Sequence, residues 1–472
     1  MPTARAYHAA ATVGDRWYVA GGSFVEGNAE QFPTDVDVYN PTAGHWDVLG
    51  QLSQPGEDIG AIADPRRGDV LFSGRMLPDE SGDYVGLPTC DMAAPGGVQL
   101  APNLLEGRFL YAATFASGRF IVSGGWSTGA LLGDAEVWDG SATDWMSGGI
   151  MPGGPRSGHT MTTLRDGRHV LVAGGNTSAQ TLGDADVFDA SCGTWSRTTT
   201  LMMARTRHKA LLLVDGRVLV AGGLTNAVLT SVEIFDPSTN AWKLVQPMND
   251  ARFDFDMVLL PDGRVLAAGG SNNATQGELG ALSSAEVYDP IADEWTALYP
   301  MHDRRRWPTL AVLSDGVYVA GGDYSVNGPP QIVTTLATVE RLAWSDLGIN
   351  GPIQLDAGAP SGYAADASVS CEVVDAGLAP DGGQGGESAD SAVDAGADTS
   401  VRDSSLRDGF ARDAGSSDRG SAGTKSGCSC TLNPGASNTL IDLAFALALG
   451  VVLRKRSPRG PEAWKRSTPR FR

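Results

Sequence analysis

A short phrase ending in two glycines recurs along most of the chain and constrains its fold more than any other feature. Residues 216–223 read GRVLVAGG, and close copies stand at 167–175 and 263–270. The double glycines fall at 21–22, 124–125, 174–175, 222–223, 269–270 and 321–322, with a degenerate copy, Ser73–Gly74, in the one long gap. Successive second glycines are 47 to 52 residues apart. A period near 50 residues is typical of a propeller blade and not of the shorter helical repeats.

Each unit carries the signals of four antiparallel strands, and the fifth unit is the clearest. The apolar run KALLLV leads to Asp215–Gly216, where glycine accepts the positive φ of a tight hairpin turn. The strands RVLVAGG and SVEIFDP follow, and the second of them stops at Asp-Pro. Trp242 then opens a fourth short strand. Four antiparallel strands per unit make one blade, which predicts an all-β propeller.

A tryptophan stands six residues after the turn residue in five units, at Trp46, Trp145, Trp195, Trp242 and Trp295. Trp344 ends the last unit, and the second unit has lost its tryptophan. With these markers, residues 1–349 closely resemble the Kelch repeat family. The resemblance implies a seven-bladed Kelch-type β-propeller with a degenerate second repeat. Many members of the family share one blade between the two termini. Here the chain runs from the first strand of unit one to the fourth strand of unit seven, so either the ring closes without a shared blade or Met1 is not the true start.

An arginine recurs just before the first strand of six units, three residues ahead of a histidine or an aromatic residue. The six are Arg5, Arg108, Arg156, Arg205, Arg252 and Arg304. We name this recurring position the arginine column. The Kelch resemblance places the arginine column near the face where members of the family bind ligands. Six exposed arginines would form a positive ring suited to carboxylates, sulfates or uronic acids. In the alternative, the arginines are scaffold and hydrogen-bond to the neighbouring blades, and the two roles are compatible.

Catalytic and metal-binding patterns are weak in the predicted propeller. His8 lies in unit one, far across a seven-bladed ring from His159 and His208 in units four and five, so we expect no metal site and no cofactor. The copper radical oxidases resemble this fold, but they need a cysteine bonded to a tyrosine, and neither Cys90 nor Cys192 stands in such a setting. Acidic residues on loops leave open a secreted Kelch-fold enzyme acting on carbohydrate, as an oxidase or a glycan-processing enzyme.

Charge and composition define the segment that follows the repeats. The formal net charge of −20 argues against a nucleic-acid partner, because no large basic patch is available for phosphate. Residues 350–427 are rich in Ala, Gly, Ser and Asp, and the triplet DAG recurs in them. Such a segment cannot bury enough apolar surface to offset its ordering entropy. The sequence therefore predicts a disordered acidic linker.

The C-terminal segment, residues 428–456, carries an anchoring pattern. Cys428 and Cys430 precede the apolar stretch Leu440–Leu453, for which we expect a short helix, and a basic cluster follows at Arg454, Lys455 and Arg456. The stretch is shorter than the ~20 residues that span a bilayer, but an adjacent basic cluster is typical of a membrane segment facing the cytoplasm. This order resembles the MYXO-CTERM sorting tail of myxobacterial surface proteins. Residues 457–472 form a basic tail beyond it.

The sorting-tail resemblance implies export, cleavage near the cysteines and lipid attachment at the cell surface or outer membrane. No signal-peptide pattern stands at the N-terminus, and we therefore expect a misplaced start that has removed a leader. The sequence as a whole predicts a monomeric, non-catalytic surface module. Its loop face would bind a protein or an acidic polysaccharide, and its tail would bind the membrane. The secreted carbohydrate-active enzyme remains the alternative.

Overall fold

Antiparallel sheets follow one another along the chain in the computed structural model. The described residues are 1–27, 29–272, 280–326 and 332–349. The predicted linker at 350–427, the sorting segment at 428–456 and the basic tail at 457–472 lie outside them. No helix among the described residues has both the length and the apolar character needed to cross a bilayer.

The first three blades have four strands each. Blade 1 consists of β1 (Ala9–Val13), β2 (Arg16–Ala20), β5 (Asp35–Asn40) and β6 (His45–Gln51), with the hairpin β3 (Phe24–Glu26) and β4 (Ala29–Gln31) inserted after its second strand. Blade 2 consists of β7 (Gly60–Asp64), β8 (Asp69–Pro78), β9 (Tyr84–Ala94) and β10 (Gly97–Ala101). Blade 3 consists of β11 (Ala112–Ala116), β12 (Arg119–Ser123), β13 (Asp134–Trp138) and β14 (Met146–Ile150).

The next three blades repeat this plan, and the seventh departs from it. Blade 4 consists of β15 (Thr160–Thr163), β16 (His169–Ala173), β17 (Ala185–Asp189) and β18 (Thr194–Arg197). Blade 5 consists of β19 (Lys209–Leu212), β20 (Val218–Ala221), β21 (Val232–Asp236) and β22 (Ala241–Val245). Blade 6 consists of β23 (Asp256–Leu259), β24 (Val265–Ala268), β25 (Ala285–Asp289) and β26 (Glu294–Ala297). Blade 7 consists of β27 (Thr309–Leu313), β28 (Gly316–Ala320) and β31 (Val339–Ala343), with the hairpin β29 (Asp323–Val326) and β30 (Ile332–Thr335).

The first strand of each blade lies innermost and contacts the first strand of the next blade. The contact runs from β1 to β7 and on around the ring until β27 meets β1. At that junction the backbone N–H of Gly322 donates to the carbonyl of Arg5 across 3.0 Å. His8 Nε2 lies 2.9 Å from Thr309 Oγ1 across the same junction. The predicted seven-bladed, all-β propeller is confirmed, and contacts between β27 and β1 close the ring of innermost strands.

Blade 7 has three strands in its sheet where the sequence predicts four. Directly after β31 the chain forms a 3₁₀ helix, Trp344–Leu347. In the other complete units the tryptophan is the sixth residue after the turn residue, whereas here Trp344 directly follows Ala343, which occupies the position of the turn residue, so no hairpin turn can form. Trp344 packs inward instead, and its indole Nε1 donates to the carbonyl of Ser314 at 3.0 Å. The outer edge of β31 therefore has no fourth strand among the described residues.

Apolar side chains fill the spaces between neighbouring blades. One cluster joins β2 and β5 of blade 1 to β8 of blade 2 through residues such as Val36 and Phe72, both completely buried. The marker tryptophans extend these contacts to the outer strands. Trp195 packs on Phe188 with ring centroids 4.7 Å apart, and its Nε1 donates to the carbonyl of Gly148 in the preceding blade at 2.8 Å. A large indole thus adds both buried area and a directional bond between blades.

The first glycine of each pair lies where two blades approach most closely. A Cβ on Gly222, whose φ is +63°, would lie 2.5 Å from the carbonyl oxygen of Arg252 and 2.9 Å from the ring of Phe255, both in the next blade. No L side chain fits at that separation, and the positive φ is itself unfavourable for other residues. The first glycine recurs because each interface between blades needs this approach, whereas a Cβ on the second glycine, Gly223, would lie 2.6 Å from the carbonyl oxygen of Thr206 in its own blade.

Candidate functional site

Five of the six column arginines have completely buried side chains. Arg205 is typical: its Nη1 donates to the carbonyl of Gly222 at 2.8 Å and its Nη2 donates to Glu233 Oε1 at 2.7 Å. The equivalent carboxylates on the third strands of the other four blades are Asp37, Glu136, Asp186 and Glu286. Each guanidinium therefore ties the entry of the first strand to the second and third strands of its own blade. The burial of Arg5, Arg108, Arg156, Arg205 and Arg252 favours the scaffold alternative over an exposed positive ring.

The sixth predicted position is one residue out of register. Arg304 is exposed, whereas Arg305 is buried and donates to the carbonyl of Gly321 at 2.9 Å and to Glu340 at 2.7 Å. Three consecutive arginines made the choice ambiguous in the sequence. The scaffold bonds also stay within one blade, whereas the sequence-based alternative assigned them to the neighbouring blade.

Blade 2 fills the same place from a different strand. Arg75 in β8 is completely buried and donates to Asp91 Oδ2 in β9 at 2.8 Å. Its side chain stands in for the column arginine that blade 2 lacks, where Glu57 follows Gly56. Arg75 directly follows the degenerate copy at residues 73–74, so the sequence did contain a buried arginine for blade 2. It was not recognised because it lies after the glycine pair, whereas the other arginines precede the first strand.

One residue per blade, two positions after the column arginine, adopts a left-handed backbone conformation. These residues, which we name the axial ring, are Tyr7, Asp58, Leu110, Gly158, Arg207, Asp254 and Trp307. Their φ angles lie between +52° and +62°. Six of the seven are not glycine, and such residues seldom adopt this conformation outside constrained sites.

Backbone hydrogen bonds join members of the axial ring across blade boundaries. The N–H of Asp58 donates to the carbonyl of Tyr7 at 3.1 Å, and the N–H of Trp307 donates to the carbonyl of Asp254 at 2.9 Å. Two further links join Leu110, Gly158 and Arg207 in the same direction. The ring thus holds seven residues, of six different types, at fixed positions around the axis.

A central cavity of about 260 Å³ lies where the seven innermost strands begin. All seven residues of the axial ring line it, together with residues that follow them, including His8, Lys209 and Thr309. Its walls combine aromatic rings, charged groups of both signs and backbone. Ligand sites commonly have this mixture of apolar wall and a few fixed polar groups.

On one side of the cavity Arg207, Asp254 and Trp307 form a connected cluster. Arg207 Nη2 pairs with Asp254 Oδ2 at 2.6 Å, and its Cζ lies 4.5 Å from the centroid of the Trp307 ring. The ring of Tyr7 lies 4.8 Å from that of Trp307. Burial raises the pKa of Asp254 to about 6, although Arg207 acts in the opposite direction. Arg207 is therefore matched by an opposite charge and by an aromatic face.

Asp58 lines the cavity from blade 2, across the axis from blades 5 and 6. Its Oδ2 is buried and has no hydrogen-bond partner among the described residues. Burial, together with repulsion from Asp254, raises the pKa of Asp58 to about 7, while Arg207 opposes the rise. A buried acceptor without a partner is costly, and this one faces a cavity.

Three histidines, each three residues after a column arginine, join neighbouring blades; they are His8, His159 and His208. His159 Nε2 lies 3.0 Å from Ser123 Oγ, and His208 Nε2 lies 3.0 Å from Thr160 Oγ1, each on the preceding blade. Burial lowers the pKa of His8 and His159 to about 3, so both rings are neutral. Within the ranges that the structure describes, no group of three or more His, Cys, Asp or Glu is arranged to hold a metal ion.

Long hairpins surround the face on which the axial ring lies. In six blades the residue before the ring member pairs with the residue after the glycine pair, as in Ala6 with Ser23 and Arg306 with Asp323, and in blade 2 Glu57 pairs with Met76. The loops after the glycine pairs therefore lie on this face, which we name the ring face. They include the β3–β4 and β29–β30 hairpins, which contact each other, and the extension of the β8–β9 hairpin. Tyr84 on that extension donates its hydroxyl to Glu30 Oε2 at 3.3 Å.

The recurring arginine and the histidine or aromatic residue three positions later were visible in the sequence, but the axial ring between them was not. Its seven members are of six different types, so no single recurring residue marks them. The available signal was a variable position between two constant ones, the arginine and the histidine or aromatic residue that follows. A constant frame around a variable position is typical of a scaffold that presents functional side chains.

Comparisons with known proteins agree with this architecture. The model of the KLHDC2/KLHL20/DRC7 Kelch-repeats domain matches residues 111–322, and that of the Kelch motif matches residues 4–53. No curated protein matches the chain.

Two solved structures are similar in fold. One is the structure of YjhT, with 12% identity and a TM-score of 0.50, and the match covers 63% of this chain and 99% of that one. The other is a fungal alcohol oxidase of the AA5 family in complex with copper, with 15% identity and a TM-score of 0.53, and the match covers 71% of this chain and 74% of that one. At such identities the likeness shows the fold alone. The chain therefore carries Kelch repeats, and they fold into a seven-bladed β-propeller.

Proposed function

We propose that the propeller is a non-catalytic interaction module that binds a protein through its ring face. The observation that carries the proposal is the axial ring, whose seven residues are of six different types although each has the same backbone conformation. Constant geometry with variable side chains suits recognition more than packing. The hairpins beside the ring add contact surface, including Val25 and Val333, which are exposed apolar residues.

A protein ligand is favoured over an acidic polysaccharide. Residues 1–350 contain 40 Asp and Glu but 22 Lys and Arg, a difference of −18. Five of the six arginines that would have formed an anion site are buried in ion pairs. An acidic surface with no exposed arginine ring repels a polyanion and attracts basic partners.

The enzyme alternative is not favoured. Its structural support is the likeness to a copper-containing alcohol oxidase, and that likeness is one of fold alone. Kelch-type propellers host several unrelated functions, so the fold does not carry an activity with it.

Selection from a random peptide display library tests the proposal. The library is panned on the full chain, and enriched peptides are then measured against Trp307→Ala, which alters the axial ring. The matched control is Ile291→Glu, at a fully exposed position in the turn between the third and fourth strands of blade 6, on the opposite face. We expect Trp307→Ala to weaken binding at least about tenfold and the control to leave it unchanged. Peptides that respond to Ile291→Glu but not to Trp307→Ala would contradict a ring-face site.

We also propose that the protein is exported and anchored at the cell surface through residues 428–456. The support is the order of Cys428 and Cys430, the apolar stretch and the basic residues 454–456 in the sequence. One acyl chain gives marginal anchoring, so stable retention requires a second lipid or contact. Intact-mass measurement of the cell-surface form tests this proposal. We expect a chain that ends near Cys430 with a lipid increment, and a mass that retains the basic tail without lipid would overturn it.

A further inference from the structure

Both basic residues that line the central cavity have carboxylate partners, but one of its two acidic residues, Asp58, has no basic partner among the described residues. Arg207 is paired with Asp254, and Lys209 Nζ is paired with Asp256 Oδ1 at 3.2 Å. Asp58 has no ion pair among the described residues, and its buried Oδ2 has no hydrogen-bond donor there. A carboxylate in this position is stabilised by a cation or by a proton.

We propose that the central cavity receives one basic side chain of the partner protein, with its cationic group against Asp58. This inference rests on the proposed function and names the chemistry of its ligand. Arg207 and Lys209 already have carboxylate counter-ions, so an anionic ligand would find no unpaired positive charge on these two residues. A cation that enters along the axis instead meets the carboxylate of Asp58, which has no ion pair among the described residues.

The size and walls of the cavity suit a single side chain. A volume of about 260 Å³ is below the roughly 300–1,000 Å³ typical of sites for drug-sized ligands. Leu110, Tyr7 and Trp307 line it and offer apolar surface to the methylene stem of a lysine or an arginine. The indole already lies beside the guanidinium of Arg207, which illustrates the compatibility of this wall with positive charge.

The ionisation of Asp58 is coupled to the entry of a cation. The charged groups that act on it are Arg207 and Asp254, and Glu57 and Tyr84 lie near enough to interact with it. The pKa of Asp58 is raised to about 7. A cation binds the ionised form, so its affinity falls as pH decreases below this value and the carboxylate takes up a proton.

The first probe is Nα-acetyl-lysine methylamide, observed by saturation-transfer NMR with the full chain. Nα-acetyl-norleucine methylamide, which lacks the charge, and methyl glucoside are the comparison ligands. The test variant is Asp58→Asn, and the matched control is Asp47→Asn, at an exposed carboxylate on the outer strand β6. We expect signal from the lysine probe alone, a loss of at least about tenfold in affinity for Asp58→Asn, and no loss for Asp47→Asn.

A pH titration of the wild-type chain tests the same inference without any substitution. We expect the affinity of the lysine probe to fall about fivefold between about pH 7 and about pH 6, and about tenfold for each further pH unit below that. Equal binding of the lysine and norleucine probes, or an unchanged affinity in Asp58→Asn, would overturn the inference. Asp58-dependent binding of methyl glucoside without binding of the lysine probe would replace it with a saccharide site.

Failure of this inference is distinguishable from failure of the proposed function. A selected peptide that needs Trp307 but keeps its affinity when each of its basic residues is replaced by norleucine would leave the ring-face site standing. That result would remove the basic side chain as its occupant.

Discussion

At the scale of single residues, the buried arginine–carboxylate pairs determine the geometry of each blade. Arg205 and Glu233 are both completely buried, and Glu233 also accepts hydrogen bonds from the N–H groups of Met202 and Met203. The pair thus holds the segment that leads into the axial ring. The arginine column was visible in the sequence, but its burial was not. A recurring arginine gives the same sequence pattern whether its side chain is buried between strands or exposed to solvent.

Removing one partner from such a pair should be strongly destabilising. We expect Glu233→Gln to lower the free energy of unfolding by about 3–5 kcal/mol, because it leaves the buried guanidinium of Arg205 without a compensating charge. Urea unfolding measures the change. The control is Glu294→Gln at an exposed position in β26, with an expected change below about 0.5 kcal/mol. Equal effects for the two variants would contradict a structural role for the pair.

Replacing Asp58 should have the opposite effect on stability. The folded-state pKa of about 7 lies above the ordinary aspartate pKa of 3.8, so folding takes up a proton and stability is lost as pH rises from about 4 to about 7. We expect Asp58→Asn to be more stable than wild type by about 1–3 kcal/mol near neutral pH and to lose this advantage near pH 4. Thermal unfolding across that range measures the difference. A difference that does not vary with pH would show that Asp58 ionises in the folded protein as it does in the unfolded chain.

At the scale of the structural elements, the glycine pairs determine how closely blades approach. Gly222 and Gly193 have similar backbone conformations, with φ of +63° and +69°, but a Cβ on Gly193 would meet no atom within 4 Å. We expect Gly193→Ala to cost about 1–2 kcal/mol, from the left-handed conformation alone. Gly222→Ala adds a clash with the next blade and should cost at least about 2 kcal/mol more. Calorimetric unfolding compares them, and equal losses would contradict the close-approach explanation.

The exposed edge of blade 7 offers a second test at this scale. Every residue of β31 is at least partly exposed, whereas the first four residues of β21, whose outer edge pairs with β22, are buried. The amine of Met1 donates to the carbonyl of Ala337, just as the N–H of Met248, after β22, donates to the carbonyl of Thr230. Met1 therefore occupies the position that Met248 has three residues after the end of β22.

A strand appended before Met1 should pair with β31. We expect fusion of the sequence AWKLVQP, copied from residues 241–247, to raise the Tm by at least about 3 °C, because it completes the sheet and covers an open edge. Differential scanning calorimetry measures the shift. The control is the same segment with Trp and Leu replaced by Ser. A fusion no more stable than its control would show that the edge does not accept a strand.

At the scale of the whole molecule, the sequence predicted the architecture well because each blade is encoded by a copy of the same sequence repeat. The period near 50 residues, the glycine pairs and the marker tryptophans each reflect a contact between neighbouring blades, and every blade needs those contacts. The structure differs from the sequence-based expectation where a single blade departs from the repeat. In blade 2 the buried arginine is Arg75 on the second strand, and in blade 7 a 3₁₀ helix that begins at Trp344 replaces the fourth strand. The axial ring could not be predicted, because its members meet only when seven distant segments converge on one axis.

The central claim is that the ring face binds a basic segment of a partner protein. Hydrogen exchange of the full chain, with and without a saturating peptide from the display selection, tests it most directly. We expect slower exchange at the entry to the inner strands, in segments such as 5–9, 56–60 and 205–209, and in the hairpins beside them. We expect no change in the turns of the opposite face at 139–145, 189–194 and 236–241. Protection confined to those turns, with exchange at the axial ring unaltered, would contradict it.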